Sequence, residues 1–555
     1  MNILRKIKFI CSLTLAVFLS NACTEDFEEL NTPSDLITED VINVNLLFTR
    51  VEQQAVVSDS PNGRGTIGNY SGISVSGANR PFQDGTFDDV WNDTYITYTN
   101  NLAYIIRLTQ DDPELVNKKA IARILKVWAF ARATDIYGDI PYFESNLPQD
   151  EAIFTPQYDT QESIYRDFFK ELKEAAAELD PTMESYGSAD LIYQGDIEKW
   201  RKFANSLRLR LALRVRYADE QLAKENMSDL QESDLITSRE DDAYIMTSTD
   251  LPENQNDGYN SVINSGASFN PAMIGKTLLD AFHDNNDPRT KLFADTAKAE
   301  FPAEMPDVDY FGYRGHPLLG LVPVEEKYPY GYESVSRLSS FWFVPVIERP
   351  LLRSSEVYFA LAEASLFGLR SGDAQEYYRK GIEAGIQWAQ EFYEMGESQL
   401  PEVLKIIHPE WTDEDINKLL THKAMTAEEI DTFLASPTAT LSGSQEVKLE
   451  QIMTQKLIVL YPMEYQAWAE WRRTGYPRVL VGSDDDDLQG TIPRKQRWPD
   501  TEMSVNSQSY QEALSRIGGE DGKLIRVWWD ANPNVPYKHP GEVEKRDEPW
   551  VTTDE

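Results

Sequence analysis

Amphipathic stripes at helical spacing constrain this chain more than any other feature. Trp91, Tyr95, Tyr98 and Leu102 recur at three and four residues, and Ile121, Ile124, Leu125 and Trp128 occupy i, i+3, i+4 and i+7 of a second segment. Ile164, Phe168, Leu172, Ala175 and Leu179 repeat the pattern, as do Phe203, Leu207, Leu211 and Val215. A helix with one apolar stripe must bury it against a neighbour, so an array of antiparallel helix pairs is the simplest solution. Spacings of roughly 35 to 40 residues between some helices point to degenerate tetratricopeptide-like pairs, although no exact repeat is legible. An earlier helix is expected around Leu46, Leu47 and Phe48, and the Gly-rich stretch 61–77 after it reads as loop.

Helical periodicity returns at 351–369 and 373–392, and an acidic stretch over 410–432 keeps Leu419, Leu420 and Ile430 to bury. A further helix is expected over 446–469, leading into a Pro, Gly and Trp-rich C-terminal region. Between the two helical stretches, 241–349 is rich in Gly, Pro, Asp and aromatic residues and is expected to form long ordered loops. No low-complexity linker divides the chain. The expectation is therefore one large, mostly α unit over 41–555 with minor β structure, in which 241–349 is a loop-rich subregion.

The acidic balance narrows the partners. The 555 residues carry 92 Asp and Glu against 53 Lys and Arg, a formal net charge of -39, yet 41% are hydrophobic and 11% aromatic. Such a chain can bury a core, unlike a disordered acidic tail. Its negative field argues against a nucleic-acid partner, because phosphate binding depends on clustered Lys and Arg. Both cysteines, Cys11 and Cys23, lie at the N-terminus, so everything beyond position 23 is free of thiols. A disulfide framework, a Cys nucleophile and thiolate metal sites are excluded there.

Residues 1–22 read as an export signal: Arg5, Lys6 and Lys8, then an apolar stretch from Phe9 to Leu19, then Ser20-Asn21-Ala22. The apolar stretch is too short to span a bilayer. Ala22 precedes Cys23, and Thr24-Glu25-Asp26-Phe27-Glu28-Glu29 follows it. The arrangement resembles a bacterial lipoprotein signal, in which the Cys becomes the first mature residue and carries the acyl chains, palmitate among them. The usual Leu three places before the Cys is replaced by Ser20, with Leu19 one place further back. The acidic run after Cys23 resembles the sorting signal that sends Bacteroidetes lipoproteins to the outer face of the outer membrane. Residues 23–40 then serve as lipid anchor and tether.

Catalytic and metal motifs are scarce. The five histidines, His283, His316, His408, His422 and His539, form neither HExxH nor an i, i+4 pair. Gly312-Tyr313-Arg314-Gly315 and Gly63-Arg64-Gly65 lack nucleotide-loop spacing and read as turns, and no G-x-S-x-G elbow is present. The run Asp484 to Asp487 lacks the alternating spacing of an EF-hand, so a solvated loop is preferred to a structural Ca²⁺ and no cofactor is expected. A carboxylate pair for glycoside hydrolysis cannot be chosen among so many acids. The aromatics carry more meaning, since Trp and Tyr stack on sugar faces while polar neighbours bond to hydroxyls. Tyr310, Tyr313, Arg314, Tyr328, Tyr330, Tyr332, Arg337 and Trp342 interleave these types, and Tyr310, Tyr313, Arg314, Tyr328, Tyr330, Tyr332 and Trp342 are the candidate ligand-binding residues.

Longer motifs carry a family resemblance. Gln451-Ile452-Met453-Thr454-Gln455-Lys456, the run from Ala467 to Pro477, Ile492-Pro493-Arg494, Trp498-Pro499-Asp500-Thr501-Glu502, Asn506 and Val527-Trp528-Trp529-Asp530 closely resemble the SusD/RagB family, in its starch-binding outer-membrane lipoprotein branch. The run from Ala122 to Phe130, the run from Thr134 to Tyr142 and the run from Leu352 to Ala364 add support in the family's order. The resemblance implies a SusD-like fold with tetratricopeptide-like helix pairs, a loop-rich ligand-facing side and no enzymatic activity. It also implies capture of a glycan or peptide outside the cell and delivery to a SusC-like TonB-dependent transporter in the outer membrane. The family-matching motifs look like scaffold. Gly138 and Pro141 are placed to end the helix of Trp128, and Arg472 and Arg473 to bond carbonyls at a helix end. A peptide-binding member of the family and a secreted glycosidase using two carboxylates are the alternative readings.

Overall fold

Capping chemistry and apolar stripes together decide where the helices begin and end. The computed structural model describes residues 42–57, 74–75, 88–148, 151–250, 254–283, 285–297, 312–313, 315–316, 335–477 and 493–535. The chain divides into two units, Met1–Val44 and Asn45–Glu555, and the description below concerns the second. Its helices of eight residues or more are α1 (Val44–Val57), α2 (Asn100–Thr109), α3 (Val116–Tyr137), α4 (Gln161–Glu178), α5 (Ile197–Val215), α6 (Asp257–Ser265) and α7 (Lys276–His283). After these come α8 (Ser354–Leu366), α9 (Ala374–Glu397), α10 (Leu400–Ile407), α11 (Asp413–Lys423), α12 (Ala427–Leu434), α13 (Gln445–Leu460), α14 (Glu464–Thr474) and α15 (Ser507–Arg516). Thr160, Asp196 and Asp373 cap α4, α5 and α9 by accepting from backbone N–H groups of the first turn. Thr412 with Asp415, and Thr426 with Glu429, form reciprocal capping boxes on α11 and α12.

The helices pack as neighbouring pairs, α2 on α3, α3 on α4, α4 on α5, α8 on α9 and α8 on α13. The expected mostly α architecture of stacked helix pairs with minor β is what the chain adopts. The α8–α9 approach depends on Gly381, where an added Cβ would lie 2.8 Å from the Phe359 ring. Phe359 is fully buried and has nowhere to retreat. Gly381→Val is therefore expected to destabilise by about 1–3 kcal/mol, read as a lower urea midpoint at unchanged slope.

Among the described residues, eight short strands make three small sheets. Strands β1 (Ser74–Val75), β5 (Met273–Ile274), β7 (Arg337–Leu338) and β6 (Ala294–Asp295) lie in the order β1-β5-β7-β6, all antiparallel. Strands β2 (Ile140–Pro141) and β3 (Tyr158–Asp159) pair with each other, as do β4 (Ala243–Met246) and β8 (Glu348–Leu352). Three segment expectations change here. The 241–349 region holds α6, α7 and five of these strands or strand starts among its described residues, because elements this short show no readable periodicity. The helix expected from 351 starts at Ser354, since Glu348–Leu352 is a strand buried on both faces and without alternation. The helix expected over 446–469 is two helices, α13 and α14, separated at Tyr461-Pro462, where proline offers no N–H to continue the ladder.

The scaffold motifs converge on a buried ionic core. Arg473 donates to both oxygens of Glu363, at 2.5 and 2.7 Å, and to Glu470 at 2.5 Å. Arg216 from the end of α5 reaches Glu363 at 2.8 Å, and Arg494 grips Asp530 at 2.5 and 2.8 Å. Arg472 donates to the backbone carbonyls of Asp135 and Arg494, and its guanidinium lies 3.6 Å over the Trp468 ring. Arg472 thus bonds carbonyls as expected, whereas Arg473 bonds carboxylates. Gly138 ends α3 at φ 81°, with its N–H donated to Thr134, and Gly475 ends α14 in the left-handed conformation. Trp342, Trp388, Phe392 and Tyr461 belong to one buried apolar cluster.

Candidate functional site

One cleft among the described residues combines ring faces with hydrogen-bonding groups. Its volume is about 440 Å³. The sheet and its flanking turns form one wall, with Phe269, Asn270, Asp295, Thr296, Arg337 and Phe343; Tyr313 joins them. The opposite wall comes from the end of α10, the following loop and α11, through Ile407, His408, Glu410, Trp411, Leu419, His422 and Lys423.

Ion pairing fixes the two walls together. The buried Lys423 ammonium lies 2.5 Å from Asp295 and donates to the Ala294 carbonyl at 2.6 Å. The second oxygen of Asp295 accepts from the Ser340 hydroxyl at 3.0 Å and its N–H at 3.2 Å. Burial pulls the Lys423 ammonium below its ordinary range, with Asp295 opposing that shift. This carboxylate is therefore committed to holding α11 against β6.

The rings are arranged in two pairs. The His408 imidazole stacks on the Trp411 indole at 4.2 Å and 11°. The Tyr313 hydroxyl lies 3.0 Å from His422 Nε2, with the rings 14° from parallel. Burial, followed by the charges of Lys423 and Lys291, lowers the His422 pKa, so the ring is a neutral donor–acceptor at neutral pH. Burial, with Asp295, raises the Tyr313 hydroxyl pKa, so it stays protonated.

Sequence reasoning placed part of this. Tyr313 and Arg337 line the cleft. Trp342 does not: it is 1% exposed and packs against Phe293, Trp388, Phe392 and Tyr461. The ligand-facing assignment of Trp342 is corrected to a core role, which its run Phe341-Trp342-Phe343-Val344 already signals as continuous apolar sequence. Truncating the whole 310–342 stretch would accordingly remove core as well as cleft. Tyr310, Arg314, Tyr328, Tyr330 and Tyr332, the Asp484 to Asp487 run and Cys23 lie outside the described residues. Trp411 lies at the start of the acidic stretch 410–432 and His408 just before it, so neither stands out by composition; the signal they do carry is two rings three residues apart ahead of a Thr-capped helix.

Two other cavities lack this combination. A cavity of about 60 Å³ among Trp128, Arg132, Asp135, Arg210 and Gln466 has room only for water. A shallow depression of about 410 Å³ around Glu184, Ser185 and Glu198 has no aromatic wall. Among the described residues no group of three or more His, Cys, Asp or Glu could hold a metal ion, and no helix is long and apolar enough to cross a membrane.

Stacked helix pairs that hold an aromatic, hydrogen-bonding cleft between rigid walls define a binding protein. The profile of the SusD-like family described as "Starch-binding associating with outer membrane" matches residues 73–499. The chain belongs to this SusD/RagB family of outer-membrane nutrient-binding proteins, and it is a non-catalytic binding protein. Among solved structures it is similar to a chitin-binding protein (26% identical, TM-score 0.70), covering 88% of this chain and 100% of the other. It is also similar to a SusD homolog from Bacteroides uniformis (25% identical, TM-score 0.66), covering 88% and 99%. A chitin-binding SusD homolog from Flavobacterium johnsoniae shares the fold at 24% identity and TM-score 0.64, covering 88% and 98%. No curated protein matches the chain.

Proposed function

We propose that this protein captures extracellular oligo- or polysaccharide at the outer-membrane surface and delivers it to a partner SusC-like TonB-dependent transporter. The observation that carries the reading is the His408–Trp411 stack, which lines one cleft together with His422 on its own wall and Tyr313, Asn270 and Arg337 on the other. A sugar ring offers an apolar face and a rim of hydroxyls, and these walls offer the complement of both. A volume of about 440 Å³ suits a short stretch of glycan rather than a long chain laid along a groove. Acylation at Cys23, with the tether over 23–40 and one ligand-binding unit over 41–555, would hold the cleft outside the cell.

The test is calorimetric titration of the soluble protein starting at Thr24 with two panels. One contains neutral oligosaccharides, including starch and chitin fragments, because two similar structures are described as chitin-binding. The other contains peptides. Saturable binding within the first panel is expected; binding confined to the peptide panel would replace glycan by peptide as the cargo.

A further inference from the structure

Helix α1 is seated through two acids rather than an acid and a base. Phe48 stacks on Tyr186 with ring centroids 3.8 Å apart and 9° from parallel, and meets Trp200 of α5 edge-on at 6.2 Å. The Thr49 hydroxyl donates to the Ala189 carbonyl at 2.7 Å. Three residues on lies Glu52, 1% exposed, and its carboxyl faces that of the wholly buried Asp190. Asp190 accepts four N–H groups: Ile192 at 2.9 Å and Tyr193 at 3.0 Å on one oxygen, Gly195 at 2.8 Å and the Trp200 indole at 2.6 Å on the other. Glu52 accepts one, from Leu191 at 2.7 Å, and its second oxygen, Oε1, is buried without a donor.

No cation answers this pair among the described residues. Arg50 of α1 is exposed, Lys118 pairs with Glu184, Arg201 with Glu198 and Lys202 with Asp241. Asp196 caps α5, and Asp241 and Asp242 add negative charge on the Tyr193 side. Tyr186 and Tyr193 turn their hydroxyls to the carbonyls of Lys118 and Asp241. Two facing carboxylates are too costly to bury together, so the pair must keep a proton. Four donors make the Asp190 site one for an anion, which leaves the bare Oε1 of Glu52 to carry it. Burial, then the Asp190 charge, raises the Glu52 pKa well above the ordinary carboxylate range.

We propose that one proton held between Glu52 and Asp190 latches α1, and that rising pH releases this helix from the 186–196 loop and α5 while the rest of the fold stays closed. The sign follows from linkage: an undocked Glu52 ionises near pH 4.3, so above it each unit of pH favours the released state by about tenfold until the docked group ionises too. Resting on the tether proposed above for 23–40, release would add α1 to that tether and lengthen the reach of the body from the membrane.

The test is hydrogen exchange with mass spectrometry on the full chain purified in detergent, between pH 5 and pH 7, each rate normalised to intrinsic exchange at that pH. In the wild type, protection of peptides from 44–57 should fall by about tenfold per unit of pH, and below that of α8 and α9. In Glu52→Gln, whose amide supplies the donor without titrating, it should stay nearly constant and exceed the wild-type value at pH 7. A wild type without the slope, a slope shared by Glu52→Gln, or α1 protection equal to that of α8 and α9 at every pH overturns the proposal; the wild-type measurement stands whether or not the variant folds. Exchange in α1 needs no lipid anchor, so failure of the latch and failure of the tether reading remain distinguishable.

Discussion

Arg473→Met is expected to destabilise the protein by about 3–5 kcal/mol, because it leaves two buried carboxylates without their principal partner. Arg473 is wholly buried, as is Glu363, and Glu470 is nearly so. Burial, the largest single influence, would raise both glutamate pKa values, but the surrounding cations together reverse it, Arg473 first, with Arg216 at Glu363 and with Lys456 and Arg214 at Glu470. Both groups are therefore held below the ordinary carboxylate range. Their contribution is present above the unfolded glutamate pKa of about 4.3 and is lost as pH falls through the folded values. The gap between wild type and Arg473→Met should thus be widest near neutrality and narrow below about pH 4.5. Urea unfolding at pH 7 and pH 4 measures both. Arg166→Met is the control: its partners Glu162 and Asp219 form a half-exposed pair cluster, so its loss should cost no more than about 1 kcal/mol. Equal losses for the two arginines would refute the burial argument.

The same contrast explains what the sequence made readable. Stripes such as Ile164-Phe168-Leu172 announced their helices because one face is buried and the other wet, so the period survives. Strand Glu348–Leu352 is buried throughout and has no period to show. At the site, the candidate Tyr313 and its stretch-mate Arg337 both belong to the sheet side of the cleft. The other wall is brought to them by the Lys423–Asp295 pair, two residues 128 positions apart that nothing local links. Trp411 acquires its role only through that approach. Trp342 shows the converse, an aromatic with the right neighbours in sequence that tertiary packing turns into the core.

Trp411→Ala is expected to weaken oligosaccharide binding by roughly 1.5–3 kcal/mol, or about ten- to more than a hundredfold in Kd. The indole is half-buried on the cleft wall and supports the His408 ring at 4.2 Å, so its removal takes away the ring and loosens the stack. The fold should tolerate the change. Its capping box, Thr412 with Asp415, is untouched, and Lys423 still joins α11 to β6. Trp342→Ala provides the opposite signature: a loss of about 3–5 kcal/mol in stability from a fully buried ring among Phe293, Trp388, Phe392 and Tyr461. Calorimetric Kd alongside the urea midpoint separates the two, since Trp411→Ala should move the first and Trp342→Ala chiefly the second. An unchanged Kd in a folded Trp411→Ala protein would move the glycan site away from the His408–Trp411 wall of this cleft.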